Sequence, residues 1–310
     1  MCMLLRGNLF ICAVKALTES MNVETMTILA QKLISDYNLH ERTGYPERIP
    51  IPNKEAARQI VTDIRDNNIF PQFVNLLIEI HYYGLMGRRY PVAYLRDLVN
   101  GLHDFGFIYD TENRMFIEDS RMRKSRNWGV LREGEEYVFT FLRLDIVGSS
   151  ILVRTNKNEV IQSTYAHLRD IVQKAIDARN GRIWIWEGDS GLVAFHFLNK
   201  NLLATLSAME ILHELFIYNQ TRCKLDKPLL VRIAIHMGPL EYTNNEEEMK
   251  KSEIIKKTID IEANYTKPNT VTVSNLVYPL LDPLILGNQL QPIRVDDKTT
   301  YYSYELRWES

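Results

Sequence analysis

From residue 136 onward the chain alternates short β-branched and aromatic runs with amphipathic stretches, and the order of that alternation is its strongest constraint. Residues 137–146 read as a buried strand, followed by a helix over about 159–178 that ends before Asn180-Gly181. Residues 182–186 and 191–197 read as two strands flanking Glu187-Gly-Asp-Ser190, a tight hairpin turn. Leu202, Leu206, Met209, Ile211, Leu212 and Leu215 then mark a helix over 201–218, and 229–237 is a strand. The order β-α-β-β-α-β is that of a ferredoxin-like α+β domain, an antiparallel sheet covered by helices on one face. A helix over 252–265, a strand at 270–274 and a C-terminal hairpin through Tyr301 to Leu306 extend it.

The first part of the chain is mainly helical. A helical segment over 23–37 is followed by 44–53, where Pro46, Pro50 and Pro52 forbid a continuing helix. Asn53 suits an N-cap for a helix carrying Ala56, Ile60, Val61 and Ile64. Pro71 and Pro91 each open a further helix in the first-turn position, and 107–117 has two apolar arms around a polar tip, a β-hairpin. Three helices and a hairpin is the element order of a winged helix, with Arg88, Arg89 and Arg96 near the recognition position. A small regulatory or dimerisation domain with an ordinary solvated arginine face is the stronger reading; nucleic acid is an unlikely partner but stays open, since a net charge of −2 offers no general attraction to it. Residues 119–135, with Arg121, Arg123, Lys124, Arg126 and Arg132, read as a basic connector. The expected organisation is therefore an N-terminal helical segment and linker (1–50), a helical, winged-helix-like domain (51–118), the connector (119–135) and the α+β domain (136–310).

With 310 residues, 45% of them apolar, the chain can bury a real core. Cys2, Cys12 and Cys223 have neither metal-ligand spacing nor an even count, which suits a reducing cytoplasm. The apolar stretch over 1–17 is interrupted by Arg6, Asn8 and Lys15 and falls short of a membrane span, so it is expected to pack as a short helix or to precede a fold starting at Met21.

Two carboxylates end strands at glycine-containing turns: Asp145 in Leu144-Asp-Ile-Val-Gly-Ser-Ser150, and Asp189 in Trp186-Glu-Gly-Asp-Ser-Gly191. In a ferredoxin-like sheet the first strand lies beside the hairpin of the second and third, so the two acids can meet. Converging hard oxygens suit magnesium or manganese held also by substrate phosphates. Gly148, Ser149 and Ser150, between strand and helix, offer backbone N–H groups to such phosphates. Taken singly, each motif is ordinary turn chemistry.

Phe141-Leu-Arg-Leu-Asp-Ile-Val-Gly-Ser-Ser150, Asn180-Gly-Arg-Ile-Trp-Ile-Trp-Glu-Gly-Asp-Ser-Gly-Leu-Val-Ala-Phe195 and Val231-Arg-Ile-Ala-Ile-His-Met-Gly-Pro-Leu240 resemble, in order and spacing, the signature blocks of class III nucleotidyl cyclases. Val271-Thr-Val-Ser274 matches that family's late strand, and the resemblance covers 137 to the C-terminus. It implies conversion of a nucleoside triphosphate to a cyclic 3′,5′-nucleotide and pyrophosphate, for cyclic-nucleotide signalling. It also implies two divalent ions, Mg2+ or Mn2+, held by Asp145, Asp189 and the Ile146 carbonyl, at a site shared across a head-to-tail homodimer.

The departures from the family pattern are equally specific. Ile185 stands where a purine-selecting lysine is usual, and Lys257 and Ile261 stand at the positions of an asparagine and an arginine that orient ribose and transferring phosphate. Residues 243–251 replace a tighter glycine-bearing loop. These substitutions keep two alternatives open: a catalytically silent nucleotide- or metal-binding sensor, and a heterodimer whose other chain supplies the missing groups. A DNA-binding regulator with the cyclase-like domain as its input is a further alternative. His236, in an apolar strand, is expected to be a packed histidine, Trp184 and Trp186 to share one side of their strand, and Cys223 to be inert.

Overall fold

The computed structural model describes residues 7–119, 125–286 and 289–306, which divide at Val130/Leu131 into two compact units. The first contains α1 (Gly7–Ser20), α2 (Val23–Leu33), α3 (Leu39–Thr43), α4 (Asn53–Asp66), α5 (Phe70–Tyr83), α6 (Leu95–Asp104), β1 (Phe107–Asp110) and β2 (Met115–Glu118). One core runs through it: Ala13, Ala16 and Leu17 of α1 and Ala56, Ala57 and Ile60 of α4 are fully buried in the same cluster as Phe73, Leu77, Leu98 and Leu102. The proline-bearing stretch between α3 and α4 is a loop within this core, and its Ile51 is buried.

Local chemistry explains where these elements begin. Asn22 caps α2 by accepting from the Thr25 N–H at 2.9 Å. Asn53 does not cap α4, as its residue type suggested; Pro52 holds that position, and the Asn53 amide donates to the Thr18 and Met21 carbonyls, tying α4 to α1. The helix expected to open at Pro91 begins only at Leu95, because Tyr94 has φ 56° and cannot be part of an α-helix. Arg88, Arg89 and Arg96 are exposed. Of the basic connector, Arg121, Arg123 and Lys124 lie outside the described residues, whereas Trp128 is fully buried and its carbonyl accepts from Glu118.

The second unit is built on β3 (Glu136–Ile146), α7 (Ser149–Thr155), α8 (Asn158–Asp177), β4 (Arg182–Glu187), β5 (Ser190–Phe195), α9 (Lys200–Thr221) and β6 (Val231–Glu241). After these come α10 (Glu246–Lys251), α11 (Glu253–Tyr265), β7 (Thr270–Val273), α12 (Pro283–Leu286), β8 (Gln291–Arg294) and β9 (Thr300–Glu305). The sheet order is β4-β5-β3-β6-β7-β9-β8, antiparallel except for the parallel β6–β7 pair. Its first four strands, with α8 and α9 between them, form the ferredoxin-like β-α-β-β-α-β unit of an α+β fold.

The period of two along β3 divides its residues between two faces. Leu142, Leu144 and Ile146 enter the core made with Leu168, Val172 and Ile176 of α8 and Ala208, Ile211 and Leu215 of α9. The odd-numbered residues of the strand, such as Phe139 and Phe141, face the other way, where they pack with Trp184. There the coverage is not one-sided, as the core order alone suggests, because α11 packs on this second face through Ile261 against Ala234 of β6 and Tyr301 of β9. Among the described residues, no helix is long and apolar enough to cross a membrane.

Candidate active site

The site forms where β3 ends beside the β4–β5 turn. Asp145 pairs with Ser190 in register, and the Ile146 N–H donates to the Asp189 carbonyl at 3.1 Å, so the two acids sought from sequence are brought to adjacent strand ends. The turn is tight because Gly188 takes φ 55° and the Ser190 hydroxyl closes it onto the Glu187 carbonyl. Behind it, Gly191 leaves room for the Trp186 ring, which a Cβ would meet at 2.6 Å. Past Ile146, Gly148 (φ 66°) turns the chain into α7; Ser149 is half-buried and Ser150 exposed.

Asp145 is not free. Arg232, directly opposite it on β6, donates from Nη2 to Asp145 Oδ2 at 2.8 Å. The same guanidinium brings Nε to 2.6 Å from Oε1 of Glu262, an acid of α11 whose side chain is 4% exposed. That contact is an ion pair without a directed hydrogen bond on either atom. Burial, then the Asp145 charge, pushes the Glu262 carboxyl above its usual range, against the opposing pull of Arg232 and Arg143. On the helical side, the Tyr165 hydroxyl of α8 is buried without a hydrogen-bond partner. Burial, Asp189 and Asp145, in that order, raise its pKa.

These donors fit a hard divalent cation. Among the described residues, Asp145 keeps one carboxylate oxygen uncommitted and Asp189 makes no side-chain hydrogen bond or ion pair, and both lie beside the Ile146 backbone. No group of three acidic, histidine or cysteine side chains that could hold a metal occurs among the described residues, so a cation here must take further oxygens from backbone, water or phosphate. That is the habit of Mg2+ and Mn2+.

The positions that depart from the cyclase pattern are structurally committed. Ile185 is 4% exposed and Ile261 fully buried, while Lys257 is paired with Asp260 at 2.8 Å and Lys256 with Glu253. Residues 243–251 include a short helix, α10, capped by Asn245, whose Lys250 reaches Glu187 in the site's own turn at 2.5 Å. His236 is buried on β6, hydrogen-bonded through Nδ1 to the Ser274 hydroxyl at 2.9 Å, and burial, with the Lys257 charge, lowers its pKa to about 4.

Trp184 and Trp186 do not share a side. A bulge between Ile183 and Ile185 breaks the alternation. Trp184 packs with Phe139 (ring centroids 4.8 Å apart), Phe141 and Tyr242, while Trp186 joins the α8 side, with the Arg169 guanidinium 5.7 Å from its centroid. Arg232, Glu262 and Tyr165 escaped sequence reasoning. The available signals were an arginine inside an apolar strand block and an acid in helical register with Ile255, Thr258 and Ile261.

No protein-family model matches this sequence, and no curated protein matches it. Over about 55% of its length the chain is similar to nucleotidyl cyclase domains of known structure. The adenylyl cyclase CyaB from P. aeruginosa is 15% identical, over 56% of this chain and 96% of that one, with a TM-score of 0.47. An adenylate/guanylate cyclase/hydrolase from Silicibacter pomeroyi is 19% identical over 56% and 99%, with a TM-score of 0.45. The monomeric guanylyl cyclase domain of the RhoGC fusion protein from the aquatic fungus Blastocladiella emersonii is 15% identical over 55% and 97%, with a TM-score of 0.44.

Proposed function

We propose that the chain is a divergent class III nucleotidyl cyclase, which closes a nucleoside triphosphate to a cyclic 3′,5′-nucleotide and releases pyrophosphate, for signalling. The observation that carries this reading is the convergence of Asp145 and Asp189, linked through the Ile146–Asp189 backbone hydrogen bond, within three sequence blocks in cyclase order. In it, Asp145, Asp189 and the Ile146 carbonyl would hold two divalent ions. When bound, those ions would supply acidification of the ribose 3′-hydroxyl and neutralisation of the triphosphate. The chain's own groups orient the reaction: the 3′-hydroxyl gives up its proton to solvent water and its oxygen attacks the α-phosphorus as the bond to the pyrophosphate oxygen breaks. The Gly148–Ser150 turn offers backbone N–H groups to the phosphoryl oxygens. A head-to-tail dimer, of two copies or with a second chain, completes the site. With Ile185 buried, the base is not read by the usual lysine.

A second reading, a silent sensor that binds metal and nucleotide without turnover, is favoured by Ile261 being buried and Lys257 being paired. Loss of preorganised donors costs ~100-fold or more in rate per donor. Incubating the protein with Mn2+ or Mg2+ and each of ATP, GTP, CTP and UTP, with products resolved by mass, tests both. A cyclic product that Asp145→Ala abolishes supports the cyclase. Nucleotide binding without any cyclic product supports the sensor, and failure to bind any nucleotide contradicts both.

A further inference from the structure

The buried side of α11 consists of Ile255, Thr258, Ile261 and Glu262, one carboxylate among apolar and small neighbours. A buried carboxylate is tolerated only when paired, and the partner of Glu262 is Arg232. The pairing is unfinished. Nε and Oε1 lie 2.6 Å apart with no directed hydrogen bond on either, whereas Nη2 of the same side chain donates to Asp145 at 2.8 Å. Two acids from different elements therefore claim one guanidinium, and only Asp145 holds it in good geometry. Arg143, the other cation near Glu262, also keeps a buried Nε without a partner.

A guanidinium presents its donors in a planar fork that matches a carboxylate bidentately. Rotating the Arg232 fork onto Glu262 would turn that close but misaligned contact into a bidentate pair and release Asp145 Oδ2. A cation arriving at Asp145 favours that release, because metal and guanidinium draw on the charge of the same carboxylate and repel one another across it. We propose that Glu262 is a positioning residue that takes over Arg232 when a divalent cation occupies Asp145, and so sets the cation affinity of the site. This rests on the reading that Asp145 holds a divalent cation, and adds to it an acid that lies outside the three cyclase-like blocks.

The test is calorimetric titration of the full-length protein with Mn2+ alone, comparing wild type with Glu262→Gln and with the double variant Glu262→Gln/Arg232→Gln. Glutamine keeps the shape of Glu262 but not its charge, so the guanidinium stays on Asp145 and Mn2+ affinity falls by about 10-fold, the low end for residues that support metal ligands. The double variant leaves no guanidinium on Asp145 and no buried charge at 262, and recovers most of that loss, to within about 3-fold of wild type on the same scale. A purely structural Glu262 predicts otherwise, since the double variant would bind no better than the single one. Equal affinity of Glu262→Gln and wild type, or a double variant as weak as the single, overturns the proposal. Wild-type protein that binds no Mn2+, or binding that Asp145→Ala leaves intact, overturns the metal reading and this proposal together.

Discussion

His236 makes the stability of the second unit depend on pH in a calculable way. In the fold its pKa lies near 4 rather than at the usual 6.5, because β6 and Ser274 enclose it and the nearby Lys257 charge disfavours a second cation. The unfolded chain therefore binds a proton at 236 between pH 6.5 and 4 that the folded chain does not. The contribution is fully present above the unfolded pKa and is lost as pH falls toward the folded one. Each pH unit in that window changes stability by about 1.4 kcal/mol, so His236 alone removes about 2 kcal/mol between pH 6.5 and 5. Urea unfolding followed by circular dichroism at both pH values, for wild type and His236→Asn, isolates the term. His196, whose pKa burial also lowers to about 4, is common to both proteins and cancels. The variant should lose about 2 kcal/mol less than wild type over this interval. Equal losses would refute the buried neutral histidine.

Ile261→Arg, which reinstates the residue type common in cyclases at that position, should destabilise the protein by about 3–5 kcal/mol in urea melts and give no gain in cyclic product, because the position is buried against Ala234 and Tyr301. Unchanged stability or a gain in product would place Ile261 outside that packing. Trp184→Ala should cost about 3–5 kcal/mol through loss of the cluster with Phe139, Phe141 and Tyr242, measured the same way; a cost below 1 kcal/mol would show that the cluster is not packed in solution.

Strand and helix order in the second unit was legible because the buried residues follow the period of each element, as Leu142, Leu144 and Ile146 do on β3. The placing of Asp145 beside the turn that carries Asp189 followed from the same order, since adjacency of the first and third strands of the unit is a property of the topology. Other features were not legible. A bulge moves Trp186 to the opposite face from Trp184, and no residue type announces a bulge. The helical start at Leu95 depends on one left-handed residue, Tyr94, that carries no glycine or asparagine to mark it. The ionic cluster of Asp145, Arg232 and Glu262 joins three elements distant in sequence, and charge alone does not reveal which residues of a helix or strand face inward. At the positions that depart from the cyclase-like pattern, Ile185 and Ile261 are absorbed into packing and Lys257 into a local ion pair, which residue type alone does not reveal.

The account depends most directly on Asp145 and Asp189 sharing a divalent cation beside a nucleoside triphosphate. Crystals of the protein grown with Mn2+ and a nucleoside triphosphate, measured for anomalous scattering, decide it. The account predicts manganese in contact with carboxylate oxygens of both aspartates and with phosphate oxygens, and the Arg232 guanidinium turned from Asp145 to Glu262. Manganese elsewhere, with the Arg232–Asp145 pair intact while nucleotide is bound, would contradict it.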